Sequence, residues 1–140
     1  MARRRWHKVV AGLAVVLLVA GAWYAWLLHG LFSDPGRDAR CAGRERFDAA
    51  VWRDTVLAFS AAAPRGCMVD DLLAGRRLAG LPRAEVVALL GADARTGYFR
   101  EYDLVYWLGP ERGPFSIDSE WLVLRLDQAG RVAEAKLVTD

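Results

Sequence analysis

Charge is distributed unevenly along the chain. From Val9 to Leu28 no residue carries a formal charge, whereas beyond that run charged and apolar positions alternate at short intervals. At ~1.5 Å per helical residue the uncharged run spans ~30 Å, about the hydrocarbon thickness of a bilayer. No polar stripe interrupts it, which argues against a buried helix of a soluble domain. Downstream, Ser33-Asp34-Pro35-Gly36 is a turn and linker signal, and a charged stretch follows to Arg46. This juxtamembrane part is expected to be loosely structured.

Phe47, Val51, Trp52, Val56 and Phe59 recur at helical spacings and predict a helix between Phe47 and Ala63, ended by Pro64-Arg65-Gly66. A second helix is predicted over Val69 to Leu78. Leu72 and Leu73 would lie on its buried side, and Asp70 and Asp71 in its first turn, where the dipole favours acids. Pro82 suits the first turn of a third helix that Gly91 stops.

The period then becomes two. Tyr102 to Leu108 reads as a strand with Tyr102, Leu104, Tyr106 and Leu108 on one face. Trp121 to Leu126 is a second strand, and the turn Asp127-Gln128-Ala129-Gly130 leads to a third over Val132 to Val138. Arg125 orients the second strand: its charged head belongs in water, so Leu122, Leu124 and Leu126 point inward. The fold class is α+β, an N-terminal transmembrane helix followed by short helices packed on a three-stranded antiparallel sheet. The expected organisation is a cytoplasmic basic tip over 1–8, a transmembrane anchor or signal peptide over 9–32, a linker over 33–46 and an extracytoplasmic domain over 47–140.

Charge changes this picture only at the N-terminus. Arg3, Arg4, Arg5 and Lys8 precede the apolar run with no acid among them, so the N-terminus stays in the cytoplasm and the rest crosses. The expected location is the bacterial inner membrane, single-pass, with the C-terminal domain in the periplasm and Val9 to Leu28 in the lipid. Ala20-Gly21-Ala22 also resembles a signal-peptide cleavage site, a rival reading that leaves the domain in the same compartment. Trp23, Tyr24 and Trp26 suit an interfacial belt and favour the anchor. The net charge of +2 conceals the asymmetry. All 17 acids follow the apolar run against 15 of the 19 Lys and Arg, so the outer portion is near −2. No basic stripe with interleaved aromatics points to nucleic acid.

From Leu78 onward the chain resembles the SmpA/OmlA (BamE-like) family of small bacterial envelope proteins. The resemblance is carried by Leu78-Ala79-Gly80-Leu81-Pro82-Arg83-Ala84-Glu85-Val86-Val87-Ala88-Leu89-Leu90-Gly91, by Tyr106-Trp107, by Leu122-Val123-Leu124-Arg125-Leu126-Asp127 and by Gly130-Arg131-Val132. In that family a short helix precedes a three-stranded antiparallel sheet. The chain also resembles uncharacterised, non-lipoprotein relatives sharing Met68-Val69-x-Asp71-Leu72 and Ile117-Asp118-Ser119-Glu120-Trp121-Leu122. Two departures stand out: Pro82 replaces the usual Ser or Thr before the helix, and no lipidation cysteine is present. The resemblance implies a fold and an envelope setting rather than a reaction.

Candidate chemistry is sparse. The histidines, His7 and His29, flank the apolar run, leaving none in the outer domain. No catalytic, cofactor-binding or metal-binding constellation is recognised. Asp118 and Glu120 form one candidate acid pair, the basis of an alternative reading as a carboxylate-dependent hydrolase; a turn acid beside a solvated strand-end acid is the plainer account. Cys41 and Cys67 are either a disulfide or two free thiols. Opposite the leucine face, Val105, Trp107, Trp121 and Val123 would form an aromatic surface for an unidentified envelope protein, unless the segment from Phe47 to Ala63 covers it. The leading reading is therefore a non-enzymatic, membrane-anchored partner-binding module.

Overall fold

The computed structural model describes residues 2–32, 39–94, 96–112 and 116–140. The predicted turn at Ser33 to Gly36 and the Gly113-Pro114 loop lie outside the described residues. The chain divides into two units, Met1–Ser33 and Asp34–Asp140.

The first unit is one helix, α1 (Ala2–Phe32), within which Gly12–Leu31 is long and apolar enough to cross a membrane by length and composition. Its apolar side chains are uncovered, Leu18 at 73 % and Trp26 at 70 % exposure among them. Such surface needs either lipid or another protein to shield it from water.

The second unit is α+β: after a helical turn at 39–41 come the short helices α2 (Ala49–Arg53), α3 (Thr55–Ala58), α4 (Pro64–Ala74) and α5 (Arg83–Leu90), then the strands β1 (Leu104–Pro110), β2 (Ser119–Leu126) and β3 (Val132–Thr139). The strands form an antiparallel sheet in the order β1-β2-β3. Leu104 pairs with Leu124 and Trp107 with Trp121, while Val123 pairs with Lys136. Arg125 is exposed and Leu122 and Leu124 are fully buried, as expected from the charge on that strand. One face, with Tyr106, Leu108, Leu122 and Leu124, packs on Trp52, Met68, Leu72, Val86 and Leu90 of the helices. Trp52 is the centre of this layer, edge-on to Tyr106 at 6.5 Å and tilted against Phe47 at 5.7 Å.

The helical half departs from expectation. The single helix predicted between Phe47 and Ala63 is two short ones, because two aspartates cap backbone amides within six residues of each other. The Asp48 carboxylate accepts from the Ala50 and Val51 N–H groups, and the Asp54 carboxylate from those of Val56 and Leu57. Asp54 is extended (ψ 104°), so the first helix ends where the next begins. Pro64, expected to end a helix, instead opens α4 at its first turn, where a missing N–H costs nothing. The helix predicted from Val69 to Leu78 therefore lies earlier, over Pro64–Ala74, and Asp70 and Asp71 sit in its second half. They act by direct contact rather than through the dipole: the Asp71 carboxylate accepts from the Phe47 N–H and pairs with Arg77.

Two glycines let α4 approach β1. A Cβ on Gly66 would lie 2.9 Å from the Leu108 carbonyl oxygen, and one on Gly109, whose φ is +127°, would lie 2.6 Å from the Ala63 Cβ. At the same place Cys41 and Cys67 are joined by a disulfide across a Cα–Cα distance of 5.2 Å. Cys41 is buried, so the folded unit incorporates chain ahead of Phe47. Closing a loop of 26 residues is worth ~3 kcal/mol in the chain-entropy account.

Candidate functional site

The second face of the sheet carries Val105, Trp107, Trp121 and Val123, the four residues expected to form an open aromatic surface. It is not open. Val123 is fully buried, Val105 is 5 % exposed and Trp121 9 % exposed, with Trp107 half-buried. The cover comes from the segment between α5 and β1, which contributes Ala94, Phe99 and Tyr102. The Ala94 N–H donates to the Val105 carbonyl at 2.7 Å, tying this segment to the outer side of β1, and Phe99 packs against Trp121 at 5.9 Å between ring centroids. The expectation of an exposed docking face is corrected accordingly: burying three of these four side chains outweighs leaving their apolar area in water. Only Trp107 reaches the surface, stacked on the 59 %-exposed Phe59 at 5.5 Å.

The candidate acid pair is also separated by environment. Asp118 is exposed ahead of β2, whereas Glu120 is 7 % exposed inside it. Arg112 Nε donates to both Glu120 carboxylate oxygens, at 2.7 and 2.9 Å, and Nη1 donates to both oxygens of Asp70 at 2.9 Å. Arg112 thus joins β2 to α4 beside the disulfide. Burial pulls the Arg112 guanidinium pKa down, but its hydrogen bonds to Glu120 and Asp70 outweigh that, and the net shift is upward. The void here is about 10 Å³, too small for a substrate.

Two further groups are buried without a catalytic partner. The Tyr106 hydroxyl donates to the Gly91 carbonyl at 3.1 Å, and burial, followed by Asp93, pushes its pKa up to about 12. Arg65 is 3 % exposed; its Nε donates to the Trp52 carbonyl at 2.8 Å, and its guanidinium lies over the Trp52 and Phe59 rings at 5.7 and 5.9 Å. Burial lowers its pKa.

Among the described residues, two concavities are large enough to receive a ligand or side chain. A cleft of about 520 Å³ lies between the 43–48 segment and the α3–α4 connection, with Phe47, Val51, Leu57 and Met68 in its wall and Arg44 and Arg46 beside them. A groove of about 290 Å³ is lined by Leu72, Leu73, Leu78, Val132, Ala133 and Ala135. No family profile, curated protein or solved structure matches the chain.

The groove adjoins a feature that periodicity does not announce. β3 is the last strand of the sheet, paired on one side only. Asp140 donates to the Ser119 carbonyl, which sets the alternation: Glu134, Lys136 and Val138 turn their backbone groups toward β2, and Ala135, Leu137 and Thr139 turn theirs outward. No other described strand lies there. At its start the edge is closed, because Val132 exchanges hydrogen bonds with Gly80 and Leu81. The small side chains of Ala133 and Ala135 were the only signal in the sequence that a partner chain could approach closely.

Proposed function

We propose that this chain is a non-enzymatic envelope protein, anchored by α1 in the inner membrane with its N-terminus in the cytoplasm, whose periplasmic unit binds a partner protein by strand addition to β3. The open edge beside the apolar groove carries this reading. An extended segment laid along Ala135 to Thr139 would find outward N–H and C=O groups, with its end at Ala135 beside the groove. Several other observations agree with it. Gly12–Leu31 has the length and composition of a membrane span, and the disulfide suits an oxidising compartment. Glu120, the acid a hydrolase would need, is held by Arg112. Helices followed by a three-stranded antiparallel meander is also the order that the SmpA/OmlA resemblance implies.

The test is Ala135→Pro in the full chain. Proline at this position removes an outward N–H and leaves the ladder to β2 intact. Partner crosslinking from a photoreactive residue at Thr139 should be lost while thermal unfolding of the domain changes little. Undiminished crosslinking by the variant would reject strand addition.

A further inference from the structure

The outer side of β3 has no partner beyond Val132 among the described residues, and the sequence along it is self-complementary in charge. Lys136-Leu137-Val138-Thr139-Asp140 places a cation and an anion at equal distances on either side of Val138. In the ladder Lys136 lies opposite Val123 and Val138 opposite Trp121, so both belong to the second face of the sheet. The ladder continues to Asp140, whose N–H donates to the Ser119 carbonyl, and alternation puts positions 136, 138 and 140 in one row.

Both charges can take a second partner. Lys136 is exposed, with Nζ 3.3 Å from Glu134 and over the Tyr102 ring. Glu134 also faces Arg125 at 3.6 Å, so it keeps a cation when Lys136 reaches across the edge. Asp140 is exposed; its Oδ1 accepts from the Ser119 N–H at 2.8 Å, which holds the carboxylate at the strand end without neutralising it.

A two-fold axis between identical edge strands pairs them antiparallel and opposes residues equally far from the axis. The registers differ only in the residue at the centre. Centred on Ala135, Val138 of the second copy would fall on Val132, where Gly80 and Leu81 already hold the edge. Centred on Lys136, the two ammonium groups oppose each other; centred on Leu137, Glu134 opposes Asp140. Centred on Val138, Lys136 opposes Asp140 twice, Val138 meets Val138, and Leu137 and Thr139 exchange about four backbone hydrogen bonds through groups that already point outward. Centred on Thr139, about half of those bonds remain and no charges are opposed. Directly opposed unlike charges stabilise a strand pair and like charges weaken it, so the Val138 register is favoured.

We infer that β3 pairs antiparallel with β3 of a second copy of this chain, centred on Val138. Like the strand-addition reading, this inference rests on an open β3 edge. It goes beyond that reading by giving the edge an occupant of its own, which a partner strand displaces. So short a paired stretch makes a weak dimer whose population follows concentration.

The full chain in detergent micelles tests this, with a single cysteine introduced as Val138→Cys, Thr139→Cys or Tyr98→Cys. The native cysteines are bridged, so each variant has one free thiol. In the inferred register the two 138 positions form a non-hydrogen-bonded pair with Cα atoms about 4.5 Å apart, within disulfide reach, whereas positions 139 and 98 do not meet their own copies. Under copper phenanthroline and air, Val138→Cys should link ~10-fold faster than the other two, although Val138 is half-buried and Thr139 and Tyr98 are exposed. In the Val138→Cys chain, Lys136→Asp and Asp140→Lys should each slow linkage ~5-fold, and an equal mixture of the two should link at the parent rate, because its opposed charges are again unlike. Equal rates at the three cysteines, or a mixture no faster than its components, would overturn the inference; the cysteine comparison alone decides should a charge variant fail to fold. Ala135→Pro separates this dimer from partner addition, since Ala135 lies outside the paired stretch. It should leave 138 linkage at the parent rate while removing a different protein's crosslink to Thr139. Capture of another protein at Thr139 without 138 linkage would overturn the dimer alone. Rapid 138 linkage, with that other protein retained by Ala135→Pro, would reject partner addition and leave the dimer standing.

Discussion

Replacing Arg112 by methionine keeps most of the side chain's length and removes the cation shared by Glu120 and Asp70. The two acids stand in different surroundings. The Glu120 side chain is 10 % exposed and both its oxygens accept from the single Nε–H, at 2.7 and 2.9 Å; the Asp70 side chain is 58 % exposed. A buried carboxylate that loses its cation keeps its desolvation cost without the compensating attraction, so Arg112→Met should destabilise the unit by ~3–5 kcal/mol. Asp70→Asn removes a pair that water largely screens and should cost at most ~1 kcal/mol. Arg112→Met combined with Glu120→Leu should recover most of the loss, because an apolar pair of similar volume carries no desolvation penalty.

The assay is urea unfolding of the Asp34–Asp140 unit, followed by the fluorescence of Trp52, Trp107 and Trp121 and arranged as two double-mutant cycles. Coupling between positions 112 and 120 should exceed ~2 kcal/mol, and coupling between 112 and 70 should stay below ~1 kcal/mol. Equal coupling in the two cycles, or a single Arg112→Met cost below ~1 kcal/mol, would refute the argument that burial of Glu120 sets the energy.

The covered second face makes a prediction that an open face would not: Trp121→Ala should cost ~3–5 kcal/mol, comparable to the ~2–5 kcal/mol for Leu124→Ala on the helix side, because both side chains are buried. Near-wild-type urea midpoints for Trp121→Ala would show that Phe99 does not cover it in solution. Tyr106 sets an alkaline limit. Its pKa is raised from 10 to about 12, so the folded state holds the proton while the unfolded chain loses it; the stabilisation is complete below about pH 10 and is lost as pH rises through about 12. Between about pH 9 and about pH 12 the wild type should lose ~2–3 kcal/mol more than Tyr106→Phe in parallel urea titrations, and equal losses would refute the assignment.

The parts of the fold legible from sequence are those governed by near neighbours. The uncharged run from Val9 to Leu28 marks α1, and period-two alternation places all three strands to within a few residues. One mid-strand charge, Arg125, suffices to assign the leucine face. Pro82 and Gly91 bracket α5 because each acts on its own backbone. Misreadings cluster where one residue has two local uses: Pro64 can end a helix or open one, and Asp54 can continue a helical face or cap the next helix. What decides between these is tertiary packing, here the approach of Gly66 to Leu108. The candidate site was hidden for a related reason. Residues between Gly91 and Asp103 have no apolar period, yet Ala94, Phe99 and Tyr102 fold back over the second face as single anchors. Arg112 lies in a loop, and nothing in its neighbourhood foretells that it reaches both α4 and β2.

Covering both faces of a three-stranded sheet changes where recognition can occur. Once neither face is free, the remaining interaction surface is made of backbone edges and helix rims, and the two edges of this sheet are treated differently. Beside β1, the Ala94 N–H takes the Val105 carbonyl, and α4 is brought against the backbone by two glycines and the disulfide at Cys67. The outer side of β3 has no partner after Val132 among the described residues. Helix α4 links the two sides: its first turns hold Cys67 and contact β1, and its last turn supplies Leu72 and Leu73 to the groove beside β3. Edge strands exposed to this extent are usually blunted by charge or bulges. β3 has a bulge near its start, where the pairing shifts between Arg125 and Leu126; the stretch from Ala135 to Thr139 lies beyond it and carries a single charge, Lys136, whose ammonium sits with Glu134 and the Tyr102 ring.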